Sequence, residues 1–205
     1  MIAVIDYGMG NVSSIVNMLK KIGVTVTLAS NIKEIQAADK LILPGVGSFD
    51  AGMKKLKDGG LVDEIKKNAI IYEKPLLGIC LGMQMLGRKS EEGMEEGLSL
   101  IPFESKRFDF NGNKDFKIPH MGWDITKTQL IDDPIVKNLN LIQRYYFVHS
   151  YYAVCDIDEN ILMRCEYGYS FAAAVKYKSI YGVQFHPEKS HKFGMDLLEN
   201  FARRV

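Results

Sequence analysis

Three side chains in this sequence could carry covalent chemistry together. Cys80 stands in Gly78-Ile-Cys-Leu-Gly82, after the apolar run Leu76, Leu77 and Ile79 and before Leu81 to Leu86, where helical spacing resumes. Gly-x-Cys-x-Gly at a strand-to-helix crossing is the form of the sharp turn that lifts a nucleophile off a strand end. A side chain at Gly78 or Gly82 would crowd the strand–helix contact behind that turn. In the first turn of a helix, unpaired backbone N–H groups and the dipole favour a thiolate, and the same groups can hold an oxyanion. Far along the chain, Tyr181-Gly-Val-Gln-Phe185 runs into His186-Pro187-Glu188. In extended backbone His186 and Glu188 point to one side, so the carboxylate can fix the imidazole tautomer and leave the other nitrogen to take a proton from Cys80. Each piece has a plainer reading: a lone cysteine in an apolar run is ordinarily a small buried hydrophobe, and a lone His-Pro-Glu a strand-end turn with a solvated acid. Two strand ends carrying complementary groups favour nucleophile, base and orienter.

The elements that must position these groups read as follows. Ile2 to Ile5 is a buried strand, Asp6 to Gly10 a glycine turn, and Asn11 caps a helix that runs to about Ile22 and stops at Gly23. Val24 to Leu28 completes a β-α-β unit. Ser30 and Asn31 head a short helix over Ile32 to Ala37, and Lys40 to Leu43 is a third buried strand ending in Pro44-Gly-Val-Gly-Ser-Phe49. Glycines around one valine allow that loop to turn N–H groups outward, opposite the Leu81 N–H, as two halves of an oxyanion pocket; an ordinary tight loop is the alternative. Helices from about Asp50 to Leu56 and Leu61 to Ile71, broken at Gly59-Gly60, lead to the Cys80 strand. This alternation predicts an α/β fold, a mostly parallel central sheet flanked by helices, with the site at the strands' C-terminal ends.

Beyond Gly87 the chain becomes β-rich. An acidic surface loop, Glu91 to Gly97, precedes strands over Leu98 to Phe103, Ile118 to Thr126, Tyr145 to Val154, Ile161 to Glu166, Phe171 to Tyr177 and Ile180 to Phe185. A short helix runs from Asp133-Pro134 to about Leu139, and a closing helix from His191 to Arg203 is capped by Ser190. These strands predict an added antiparallel part in the C-terminal half. No repeat or linker divides the chain, which reads as one domain over residues 1–205.

With 26 basic and 25 acidic residues, no overall field attracts nucleic acid or an anionic membrane. The N-terminus has no basic leader or apolar core, which points to the cytosol. Three cysteines without a Cys-x-x-Cys pair argue against a disulfide framework or a zinc knuckle, and Cys155 and Cys165 read as packing residues. The four histidines lack partners at metal-ligand spacing, so no catalytic metal is expected. Gly8 and Gly10 suggest a dinucleotide turn, but Ser13 stands where the third glycine belongs and no ribose-binding acid follows the second strand.

Gly78-Ile-Cys-Leu-Gly-Met-Gln84 with Gln184-Phe-His-Pro-Glu188 resembles the class I, triad-type glutamine amidotransferases. Adding Asp6-Tyr-Gly-Met-Gly-Asn11, Pro44-Gly-Val-Gly-Ser-Phe49, Pro119-His-Met-Gly-Trp123 and Tyr146-Phe-Val-His-Ser-Tyr151, essentially the whole chain is similar to the glutaminase subunits of imidazole glycerol phosphate synthase. The resemblance implies a flavodoxin-like fold and hydrolysis of L-glutamine to glutamate and ammonia without a cofactor. It implies a (β/α)8-barrel cyclase partner in histidine biosynthesis. It implies Cys80 as nucleophile, His186 as acid and base, and Glu188 as orienter. Val46 or Gly47 with Leu81 would supply oxyanion N–H groups, while Gly47, Gln84 and the His149-Ser150-Tyr151 backbone would hold glutamine. Asn11, Trp123, Tyr146 and Lys189 would face the partner, Trp123 having a core position as its alternative. The sequence departs at Ser14, where relatives often carry a second Asn. Two other readings remain: a paralogous glutaminase feeding a barrel that aminates a sugar or other acceptor, and a cysteine hydrolase acting on peptides or γ-glutamyl chains. A non-catalytic binding module would require an unreactive Cys80.

Overall fold

Four consecutive apolar residues can be buried on both faces only if a sheet is covered on both sides, and Ile2–Ile5 (β1) is buried throughout. The computed structural model describes all 205 residues. β1 pairs in parallel with β2 (Val26–Ala29) on one side and β3 (Lys40–Leu43) on the other. β3 pairs with β4 (Leu76–Ile79), and β4 with β11 (Ile180–Val183), also in parallel. The sheet continues antiparallel through β10 (Tyr169–Tyr177), β9 (Ile161–Tyr167) and β6 (His120–Thr128) to β7 (Ile142–His149) at its margin. β8 (Tyr151–Cys155) pairs with β10 at Ala172 and carries β5 (Phe103–Arg107). The expected antiparallel part thus extends the parallel sheet, and eleven strands form one surface.

Alternate residues of β1 feed two cores. Ala3 and Ile5 pack with α2 (Ile32–Ala37), α3 (Phe49–Asp58), α4 (Val62–Ile70) and α5 (Leu81–Leu86). Ile2 and Val4 pack with α1 (Val12–Lys21) and α6 (His191–Arg204), through Ile15, Leu19, Leu197, Leu198 and Phe201. No helix is long and apolar enough to cross a membrane.

Several local expectations need correction. Leu98–Ile101 is not strand: the N–H groups of Leu98 and Leu100 donate to the carbonyls of Met85 and Leu86 at 2.7 and 2.8 Å. That apolar run finishes the C-terminal end of α5, whose last carbonyls need outside donors. Tyr145 to Val154 is two strands broken at Ser150, and the helix after Asp133 is one 3₁₀ turn, Pro134–Val136. Asn31 caps α2 through Glu34 N–H, whereas Asn11 and Ser190 precede their helices without capping them. The Ser190 hydroxyl is used elsewhere: it donates to the His186 carbonyl at 2.6 Å and accepts from Tyr146 N–H at 3.0 Å. His186 N–H also donates to the Tyr146 carbonyl, so the turn after β11 is bonded to the outer strand β7.

Candidate active site

The close packing behind Cys80 follows from its glycines. A Cβ on Gly82 would lie 1.8 Å from the Leu43 carbonyl oxygen, and one on Gly78 would lie 2.7 Å from the Gly82 oxygen. α5 can therefore sit directly on the ends of β3 and β4. Cys80 absorbs the turn at φ 53° and ψ −111°, a conformation strained for any residue with a side chain. Its N–H donates to Val183 O at 2.8 Å, tying the elbow to the end of β11. Because Ile79 and Val183 are paired in register, the following residues, Cys80 and the His186 turn, emerge on the same margin of the sheet.

His186 Nδ1 lies 2.8 Å from Glu188 Oε1, and both side chains are almost fully buried. The contact is as expected but its reason is not: Pro187–Lys189 is a 3₁₀ turn, and the turn, not strand alternation, brings the carboxylate beneath the ring. Nε2 is buried and makes no hydrogen bond of ordinary geometry within the protein. Burial favours the neutral ring, but the adjacent Cys80 sulfur and Glu188 carboxylate together outweigh it and raise the His186 pKa from 6.5 to about 9. The Cys80 Sγ rests 4.0 Å from Val148 O.

A cavity of about 310 Å³ opens over these groups. Val46, Gly47, Cys80, Leu81, Gln84, His149, Ser150, Tyr151 and His186 all line it, so every residue expected at the oxyanion or substrate positions reaches one space. Gly47 takes φ 104°, and a Cβ on Gly45 would lie 2.9 Å from Gly82 N; glycine lets this loop lie against the head of α5. Tyr7 braces the loop by donating to Pro44 O at 2.8 Å. Larger surface concavities beside α6 and along residues 107–118 contain neither a cysteine nor a histidine.

Gln84 is buried rather than solvent-facing. Its Nε2 donates to Tyr151 O at 3.3 Å and to Gln184 Oε1 at 3.1 Å, which orients Gln184 so that its own Nε2 approaches Cys80 Sγ at 3.8 Å. Gln184 opens the Gln184–Glu188 segment, and its letter alone assigns it no role. Glu92, Pro119 and Val148 also line the cavity and were missed. Glu92 accepts from Phe49 N–H at 2.8 Å, and burial raises its carboxyl pKa. It is one of several acids in its loop, and only the fold distinguishes it. Cys155 and Cys165 lie away from the cavity, and burial pushes both thiols up, Cys155 to about 12.

Three of the residues expected at the partner face, Trp123, Tyr146 and Lys189, meet one another. Trp123 is 37 % exposed, so it is not a core residue; it stacks on His191 at 5.4 Å and meets Tyr146 edge-on at 6.2 Å. Lys189 Nζ lies over the Tyr146 ring at 5.7 Å. Asn11 is exposed at the head of α1, which packs against the Pro187–Lys189 turn.

A sheet with a strained cysteine elbow at one strand end and a carboxylate-paired histidine at the next defines a class, and residues 3–205 match the family model for class-I glutamine amidotransferases. The solved structure of PurLQS from Thermotoga maritima shares the fold at TM-score 0.71 and 20 % identity, over 98 % of this chain and 96 % of that one. The chain belongs to the class I glutamine amidotransferases and, within them, to the HisH subunits of imidazole glycerol phosphate synthase. It is 51 % identical to subunit HisH 2 of Pseudomonas aeruginosa and 52 % identical to subunit HisH 2 of Methanococcus maripaludis, covering 100 % of both chains in each case.

Proposed function

We propose that this chain acts in the cytoplasm as a single domain, hydrolysing L-glutamine and passing the ammonia to a (β/α)8-barrel cyclase subunit. That partner would use it to make imidazole glycerol phosphate and aminoimidazole carboxamide ribotide in histidine biosynthesis. The observation that carries the reading is the convergence of Cys80 and the His186–Glu188 pair on one cavity.

Glutamine enters with its side-chain amide toward Cys80. Gly47, Gln84 and the His149–Tyr151 backbone hold its polar groups, and the Glu92 carboxylate attracts the α-ammonium. The Cys80 thiolate attacks the amide carbon, steadied by the Gln184 Nε2–H. N–H groups of Val46 or Gly47 and of Leu81 hold the developing oxyanion. Protonated His186 gives its proton to the leaving nitrogen, and ammonia departs. Neutral His186 then takes a proton from water as that water attacks the thioester, and a second oxyanion collapses to glutamate and restored thiolate. Glu188 holds the imidazole in register throughout. Ammonia must stay out of bulk water, where it would be protonated and no longer nucleophilic, and this favours an exit beside the triad toward Asn11, Trp123, Tyr146 and Lys189.

Replacing Cys80 tests the reading. Cys80→Ala is expected to abolish glutamate release while the barrel still co-purifies; full activity in that variant would refute the mechanism. A second reading keeps the chemistry but changes the acceptor to a sugar or similar molecule. The geometry around Cys80 serves either acceptor, because the cavity meets glutamine and not the molecule that receives the ammonia. Rescue of a histidine auxotroph by this chain with its cognate barrel supports the first acceptor; failure with normal glutaminase activity supports the second.

A further inference from the structure

The substrate-holding corner of the cavity rests on a buried pair of imidazoles. His149 Nδ1 lies 2.8 Å from Tyr151 O, and a carbonyl only accepts, so that nitrogen carries the proton. Burial keeps His149 neutral, its pKa lowered to about 3; Nε2 is therefore an acceptor, and it faces His120 Nδ1 at 3.0 Å. His120 is the donor of that bond. It is 3 % exposed and stacked between Phe147 at 4.8 Å and Tyr167 at 4.0 Å; burial lowers its pKa against the pull of Asp124, whose Oδ2 lies 3.3 Å from Nε2 and competes for the ring proton that His149 Nε2 requires on Nδ1. The same Tyr151 carbonyl accepts from Gln84 at 3.3 Å, and Gln84 donates to Gln184 beside the sulfur.

We propose that His120, which does not line the cavity, is a positioning residue for glutamine: its Nδ1–H fixes the tautomer of His149, which fixes the Tyr151 carbonyl and through it Gln84. The proposal rests on the glutamine reading of the cavity. Loss of the donor lets the His149 ring and the segment across Ser150 take other orientations, while Cys80, His186 and Glu188 stay on the other strand ends. The defect therefore falls on substrate binding more than on bond making.

Two variants separate this from packing. His120→Phe keeps the ring stack and removes the donor; His120→Asn loses the stack and retains an amide N–H near the Nδ1 position. With the full chain bound to its cognate barrel, His120→Phe is expected to raise KM for glutamine about tenfold with kcat within about threefold, and His120→Asn to return KM to within about threefold of the parent. Unchanged KM in His120→Phe, a loss confined to kcat, or a His120→Asn variant as impaired as His120→Phe would overturn the proposal. Should the phenylalanine variant not fold, nitrogen-15 spectra of histidine-labelled parent protein decide independently. A neutral His149 protonated at Nδ1 supports the assignment, and one protonated at Nε2 or at both nitrogens refutes it. A parent protein without glutaminase activity would instead count against the reading of the cavity.

Discussion

At the scale of residues, the charge on His186 governs stability and, in the proposed mechanism, turnover. With its pKa raised from 6.5 to about 9, the folded protein binds a proton that the unfolded chain gives up between those values. The contribution is whole below pH 6.5 and is lost as pH rises through about 9. Thermal melts should therefore show Tm falling across that window, and Glu188→Gln should flatten the fall by removing one of the groups that hold the proton. The same variant is expected to lower kcat on the order of 10²-fold, measured as glutamate release at saturating glutamine, because it removes the imidazole's orienter. The Cys80 backbone gives a second test: at φ 53°, glycine relieves strain that alanine retains, so Cys80→Gly should be more stable than Cys80→Ala by about 1 kcal/mol in denaturant titrations. That Cys80 and the His186–Glu188 pair would meet was readable because a glycine-flanked cysteine and a strand-ending histidine have few other uses in combination. Gln184, Glu92 and His120 were not, because each matters through a neighbour supplied by another element.

Elements show how closely spacing constrains packing. Gly82→Ala would drive a Cβ into the Leu43 carbonyl at 1.8 Å, a backbone atom that cannot step aside. Its cost should reach about 3 kcal/mol, measured by unfolding in denaturant. Gly112→Ala meets nothing within 4 Å and bears only the strain of φ 80°, about 1 kcal/mol. The parallel strands were legible since β1, β3 and β4 are short, mainly apolar segments with turn residues after them. Leu98–Ile101 misled because burial against the end of a helix selects the same residues as burial in a sheet. Ser150 gave no warning that a long β-like stretch would divide there, since the division is imposed by pairing with different neighbours, β6 before it and β5 after it.

For the whole molecule, composition left no long-range field to bring a partner, so association depends on a local patch. On the proposed partner face, Trp123→Ala should weaken binding of the cyclase subunit by tenfold or more, on the order expected for a central aromatic anchor, while Tm of the isolated chain changes little; calorimetry and melting measure the two separately. The long margin at β7 has a further consequence. An unpaired strand invites another chain to zip on, and here Ser190 and His186 occupy the hydrogen-bonding groups of Tyr146 at its middle. The turn that aims the His186 ring is thus also a guard against unwanted self-association: loosening it by Ser190→Ala should make the protein stickier in solution and, in the proposed mechanism, slower, a liability visible in light scattering before any loss of fold.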